Sequence, residues 1–390
     1  MWHRIIPALV IALVIYFVWQ EAQQGHLGVI PPAILEITSN TDAQVYIDGQ
    51  LTGTIRASQM RILNNLKPGR HIIGLAALGF KSKSVGIAVE NGQKLEQVFA
   101  LEPEAVAAVP KTKTVAFDDL EKSINDADDG AVLFLAAGDY RLSSTISIQK
   151  SISLIGAGQT KTHVFSRASV ALMSFKNGEL HLKGIDFVHT GKQKADVLDV
   201  KDAQIDIEDC RFAGGYTPDS PRKDGDGLWL HGRSSGKITK SRFERNVLNG
   251  LEVRDTTDVR LENNELNSNQ SSGLSVWEDA KVQIVKSTAE FNNDEGIYAS
   301  DQAFVTVEQS KLLFNTTSGI SFNKSATGSV VKNTIISNKF GVEIMAQSSV
   351  SVAQNIFSLQ TEAIYIAKKA SATIGQNTFK KNGQDVVHEK

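Results

Sequence analysis

The sequence predicts an all-β chain built around a right-handed, single-stranded parallel β-helix. A small antiparallel β domain and an N-terminal membrane anchor helix precede it. Three observations carry this. Gly227, Gly250, Gly273, Gly296 and Gly319 recur every 23 residues, and Gly341 and Ala363 continue at 22. Four apolar columns keep step with that period. An uncharged stretch stands at the start of the chain. A period in this range marks a stacked repeat, whose units are too poor in apolar residues to fold singly.

Composition narrows the functional classes. The chain has 390 residues and a formal net charge of -2, which excludes nucleic-acid binding through a bulk positive field. Its single cysteine, Cys210, excludes an internal disulfide framework and any cysteine-based zinc site. Residues 1–19 form the anchor: Ile5 to Trp19 lack charge, Arg4 precedes them and a polar run follows. A helix of that length spans about 22 Å, and Trp2, Tyr16 and Trp19 extend its reach at the interfaces. A cleaved signal peptide fits the same segment. Either reading exports the body of the protein, with the N-terminus on the positive, cytoplasmic side.

Residues 20–32 read as a linker ending in Pro31-Pro32. Residues 33–102 alternate with period two, with turns at Asp48-Gly49, Lys67-Pro68-Gly69 and Asn91-Gly92, and so form short antiparallel strands. ITSNTDAQVYIDGQLTG, followed by LKPGRHIIGLAALGFKSKS, resembles a PEGA domain, a small β module of bacterial surface-layer type. Ala43, Val45, Ile47-Asp48-Gly49, Gly53, Leu66, Pro68-Gly69, His71 and Gly79-Phe80 carry the resemblance. Asn40-Thr41-Asp42-Ala43 replaces the name-giving tetrad, and Thr54-Ile55 stands where Thr-Pro is usual. The resemblance implies a spacer or envelope contact and no catalytic residue. Residues 103–114 form a second linker.

The β-helix occupies residues 115–385, in about ten coils. One residue past each repeat start come Leu228, Leu251, Leu274, Ile297, Ile320, Val342 and Ile364. Further apolar columns run through Leu230, Ile238 and Phe243 and their equivalents. Polar columns through Ser241 and Asn264, and through Asn246, Asn269 and Asn292, predict amides stacked along the axis, in the αL turns of each coil. Cys210 falls in the first of these and reads as an ordinary coil residue. Phe117, Leu120 and Ile124 share one face of a short helix that caps the first coil. The stretch from Phe117 to Thr162 resembles the opening of pectate-lyase-like β-helix proteins, through that helix, Gly138-Asp139-Tyr140 and Ile148…Leu154-Ile155-Gly156. That superfamily holds lyases, hydrolases, esterases, epimerases and non-enzymatic binders, so the resemblance implies a fold and leaves the reaction open.

Alternation turns Trp229, Glu252, Ser275 and Tyr298 outward, with His231, Arg254 and Trp277 beside them. Aromatic planes among charged groups suit a polysaccharide, and Trp229, Glu252, Trp277, Glu278 and Tyr298 are the binding candidates. About eight extra residues interrupt the period in Ala213–Asp226, bringing Asp224 and Asp226 to His231 and Arg254 as a candidate catalytic set. The Asp pairs with Gly-His-Gly of polygalacturonases and the Asp-Pro-His-Asp of the epimerases are not intact here. Asp255, Glu278 and Asp301 on consecutive coils either hold Ca2+ or lie splayed in water; no other metal or cofactor is expected. Three functions remain: an anchored envelope protein that binds polysaccharide, a polysaccharide lyase, hydrolase or epimerase, and a scaffold for envelope proteins. Protease added to spheroplasts is expected to digest the body of the protein while a cytoplasmic marker survives. Protection of both would reverse the orientation.

Overall fold

The computed structural model describes residues 33–77, 80–102, 112–115, 119–218 and 225–389. The anchor expected at 1–19 and the linker expected at 20–32 lie outside them. Among the described residues no helix is long and apolar enough to cross a membrane. The chain divides after Val109 into two compact units.

Among its described residues the first unit contains seven strands: β1 (Ala33–Ser39), β2 (Ala43–Ile47), β3 (Gln50–Ile55), β4 (Met60–Leu66), β5 (Gly69–Ala76), β6 (Lys83–Val89) and β7 (Lys94–Phe99). They form two sheets, ordered β4-β1-β7 and β3-β2-β5-β6. Leu35, Ile37, Val45, Ile73, Leu75 and Phe99 fill the core. One pair departs from the antiparallel expectation, since β1 runs parallel to β7. The Asp48 carboxylate closes its turn by accepting the Ile72 amide at 2.9 Å and the His71 ring at 2.7 Å. Those bonds, the Ile72 amide first, hold Asp48 below the usual carboxylate range.

The second unit is a parallel β-solenoid. Its three sheets are called A, B and C in the order the chain visits them from Leu228, and among the described residues they hold 11, 12 and 11 strands. This makes about 11 turns, one more than the repeat count suggests, because the first coils lack the glycine and asparagine signal. In sheet A, Leu228 pairs with Leu251, Leu251 with Leu274, and Leu274 with Ile297. All four are fully buried, as are Leu261 and Phe243 in the other apolar columns. The glycine column exists because successive backbones touch: a Cβ on Gly250 would stand 2.6 Å from the Gly273 carbonyl. The helix α1 (Leu120–Asp126) buries Leu120 and Ile124 over the first coil. Lys150 caps its C-terminus through the Asn125 and Ala127 carbonyls. Phe117 lies outside the described residues.

Polar columns bind the coils to each other. The Asn246 side-chain N–H donates to Asn269 Oδ1 at 3.0 Å, Asn269 to Asn292 at 3.0 Å, and Asn292 to Asn315 at 2.9 Å. Each Oδ1 also accepts the backbone N–H of the asparagine one coil earlier, so two donors share one oxygen. The ladder asparagines do not themselves occupy the left-handed turns. Their predecessors do: Arg245, Ser268, Phe291 and Phe314 have φ of 55–58°. That bend drives the following side chain inward. Cys210 lies in the companion column, where its amide donates to Ser241 Oγ at 3.1 Å. Burial pushes its thiol up to about 12, so it is not a nucleophile at neutral pH.

Ile297→Asp is expected to prevent folding by placing a charge inside the stack. Asn292→Ala strands the Asn269 amide and is expected to cost about 2–4 kcal/mol in urea unfolding. Exposed Asn293→Ala should stay within about 0.5 kcal/mol of the parent. Equal losses from the two asparagines would remove the ladder from the account of stability.

Candidate functional site

A further polar column lies one residue before the glycines from Gly227 to Gly319, at the turn into sheet A. Leu198 pairs with Leu228, a step of 30 residues, so Asp196 and Asp226 are its consecutive members. Asn249, Ser272 and Glu295 follow. Asp196 Oδ1 accepts the amides of Gly225 (2.7 Å) and Asp226 (2.8 Å). Asp226 Oδ1 accepts the Asn249 amide at 2.7 Å, and Asn249 Oδ1 that of Ser272 at 3.3 Å. The Ser272 hydroxyl then donates to Glu295 at 2.9 Å. The column thus repeats the internal amide relay at the rim of the exposed sheet.

Its edge forms one wall of a cleft of about 610 Å³. Outward residues of four successive sheet A coils, Trp229, Glu252, Ser275 and Tyr298, line it, with Arg254 and Trp277 beyond. Glu252 is held from both sides, accepting the Asn249 side-chain amide at 3.0 Å and Arg254 Nε at 2.5 Å. The Arg254 guanidinium lies 5.1 Å over the Trp277 ring. The Trp277 indole N–H donates to Ser275 Oγ at 2.7 Å. Ser275 is therefore buried at the cleft floor, whereas alternation alone predicts it exposed. Asp226 is buried as well. Burial, then the charges of Glu252 and Asp196, push its carboxyl well above the usual carboxylate range. Burial also raises Glu295, with Asp294 adding to the effect. The cleft therefore sets two carboxyls raised by burial beside Glu252, which a guanidinium and an amide hold in place.

Of the residues singled out from sequence, Asp226, Trp229, Glu252, Arg254, Trp277 and Tyr298 share this cleft. His231 does not line it. It stacks on Trp229, ring centroids 3.9 Å apart, and bonds Asp199 at 2.9 Å. Glu278 turns away to accept the Asp255 amide at 2.7 Å. Asp224 lies outside the described residues. The proposed Ca2+ ligands are spent on the backbone and a lysine. Asp255 accepts the Gly232 amide, and Asp301 pairs with Lys324. Among the described residues no group of three or more His, Cys, Asp or Glu side chains converges as a metal site.

Sequence reasoning missed Asp196, Asn249, Asp294 and Glu295. The outward strand columns do not contain them; Asn249 and Glu295 were signalled by a polar residue recurring just before the glycines from Gly227 to Gly319, whereas Asp196, followed by Val197, and Asp294, two residues before Gly296, were not. The insertion was also overcounted. With 30 residues between paired leucines against a period of 23, it is seven residues long. Gly215 still takes its place in the ladder, donating its amide to Asn246 Oδ1 at 2.9 Å, and the excursion begins after it.

Residues 197–357 match the family described as the right-handed β-helix region, which gives the solenoid its hand. Among solved structures, the A-module of the mannuronan C-5 epimerase AlgE4 of Azotobacter vinelandii is 14% identical, with TM-score 0.47, covering 66% of this chain and 89% of that one. The A-module of the Azotobacter vinelandii epimerase AlgE6 is 13% identical, with TM-score 0.49, covering 70% and 92%. An alginate lyase of Paenibacillus sp. str. FPU-7 is 12% identical, with TM-score 0.45, covering 70% and 99%. No curated protein matches the chain by sequence.

The raised carboxyl of Asp226 has a sign that can be measured. The folded protein holds this proton more tightly than the unfolded chain, so the group lowers stability as pH rises from the unfolded value near 3.8 toward its folded value. Asparagine keeps the acceptor for Asn249 and cannot ionise. Asp226→Asn is expected to match the parent near pH 4, within about 0.5 kcal/mol, and to exceed it by at least about 1 kcal/mol near pH 8 in urea unfolding. A difference independent of pH would contradict the assignment.

Proposed function

We propose that the cleft binds a segment of polysaccharide laid along the solenoid axis, in an exported protein tethered by residues 1–19. The observation that supports this is one cleft, four coils long, in which aromatic rings alternate with fixed hydrogen-bonding groups. Trp229, Trp277 and Tyr298 offer apolar surface to the carbon faces of sugar rings. Glu252, Asn249 and Ser272 are held by their neighbours, so they accept from and donate to hydroxyls with little ordering cost. Strands repeat at about 4.8 Å, close to the rise of one pyranose in an extended chain, so four coils take about three or four sugar units. The module at 33–102, with its resemblance to PEGA domains, would space the cleft from the membrane.

The pairing of Asp226 with Glu252 favours a second reading, cleavage of the bound chain. Asp226, kept as the acid, would protonate the leaving glycosidic oxygen. Glu252, oriented by Arg254 and Asn249, would act as base or nucleophile.

Both readings are tested by presenting the protein to a broad polysaccharide panel, with binding read by calorimetry and products by chromatography. The double variant Trp229→Ala, Trp277→Ala is expected to lose at least about tenfold in affinity. Shortened or unsaturated products that vanish in Asp226→Asn would establish the enzyme. Binding without product would leave the binder. Neither binding nor product would favour a protein scaffold and end the glycan reading.

A further inference from the structure

The charge inventory of the cleft bears on which polysaccharides fit. Among the described lining residues stand five carboxyls, Asp196, Asp226, Glu252, Asp294 and Glu295, and one cation, Arg254. That guanidinium is already engaged. Its Nε lies 2.5 Å from Glu252, its Nη1 3.9 Å from Glu278, and its plane covers the Trp277 ring. Lys324, the other cation against Trp277, pairs with Asp301 at 2.5 Å.

A polyuronate places one carboxylate on each sugar, and each must meet a cation, a bridging metal or ordered donors when it leaves water. This cleft supplies acceptors instead. Burial raises the carboxyls of Asp226 and Glu295, a setting that penalises any further negative charge brought beside them. The hydrogen-bonded carboxyls, together with Ser271, Ser272 and Asn249, match a surface of hydroxyl groups, which both donate and accept.

We infer that the cleft selects an uncharged polysaccharide and rejects polyuronates. The inference rests on the glycan-binding reading, and the experiment separates the two. Calorimetry on the full chain would use oligosaccharides paired by backbone and differing in charge. One pair is oligogalacturonate and its fully methyl-esterified form. The other is N-acetylglucosamine hexamer and its deacetylated form. Neutral hexamers of glucose, xylose and mannose complete the set. At least one neutral oligosaccharide is expected to bind, at least about tenfold tighter than any uronate. Its affinity should be unchanged between about 50 and 500 mM salt. In the variant Asp294→Asn, Glu295→Gln, the gap between the galacturonate pair should narrow at least about threefold. Equal or tighter binding of the uronate would overturn the inference and leave glycan binding standing. So would preference for the deacetylated hexamer with affinity that falls as salt rises. Failure of every oligosaccharide, charged or not, would instead remove the glycan-binding reading itself.

Discussion

The structure depends on a side-chain oxygen accepting the backbone amide of the neighbouring coil. Parallel strands alone would stack the coils, but the turns between sheets leave peptide groups buried without a ladder partner. The asparagine column answers this at one corner. Asn269 Oδ1 takes both the amide and the side-chain N–H of Asn246, while its own Nδ2 reaches back to the Phe243 carbonyl at 3.1 Å. A shift by one residue would move the amide out of the interior and a turn residue such as Phe291 into it. Register is therefore specified by hydrogen bonding as well as by the apolar columns, and specified again at every coil.

The cleft uses the same device with different residues. In the column before the glycines, Asp196, Asp226 and Asn249 close amides as the interior asparagines do, but they stand at the rim of sheet A, where a ligand can reach them. Replacing an amide by a carboxyl at such a place keeps the hydrogen bond and adds an ionisable group in a low-dielectric setting. The raised Asp226 carboxyl follows from that exchange. Its cost in stability at neutral pH is the kind of local penalty that functional sites carry and the remaining coils absorb.

Much of this was legible in the sequence. Period, apolar columns, amide ladder and the membership of Trp229, Glu252, Arg254, Trp277 and Tyr298 all follow from counting at 23 and alternating at two. What escaped has physical causes. His231 obeys the alternation, yet Asp199 on the preceding coil is near enough to hold it away from the cleft. Ser275 points outward and is still buried, because Trp277 closes over it. In the first unit β3 and β4 carry the weakest strand signal, since Thr52-Gly53-Thr54 and Asn64-Asn65 interrupt the apolar alternation that marks a sheet face. Glu295 and Asp294 lie in a turn, where strand periodicity says nothing about direction.

The inserted loop shows how a site is added to a repeat without disturbing it. Gly215 completes its coil before the excursion, and its amide joins the interior ladder at Asn246. On return, Gly225 and Asp226 both donate to Asp196 Oδ1, which resets the chain one column before the glycine. Between these two fixed points the chain can lengthen at little thermodynamic cost, since loop closure entropy grows only with the logarithm of length. The insertion before Asp226 thus lengthens one coil while the strands on either side keep their register. Asp196 has no glycine after it, as Val197 stands there. The backbone bond persists there, Val197 N–H donating to the Asp226 carbonyl at 2.9 Å, and the Asp196 carboxylate adds the Gly225 and Asp226 amides to it.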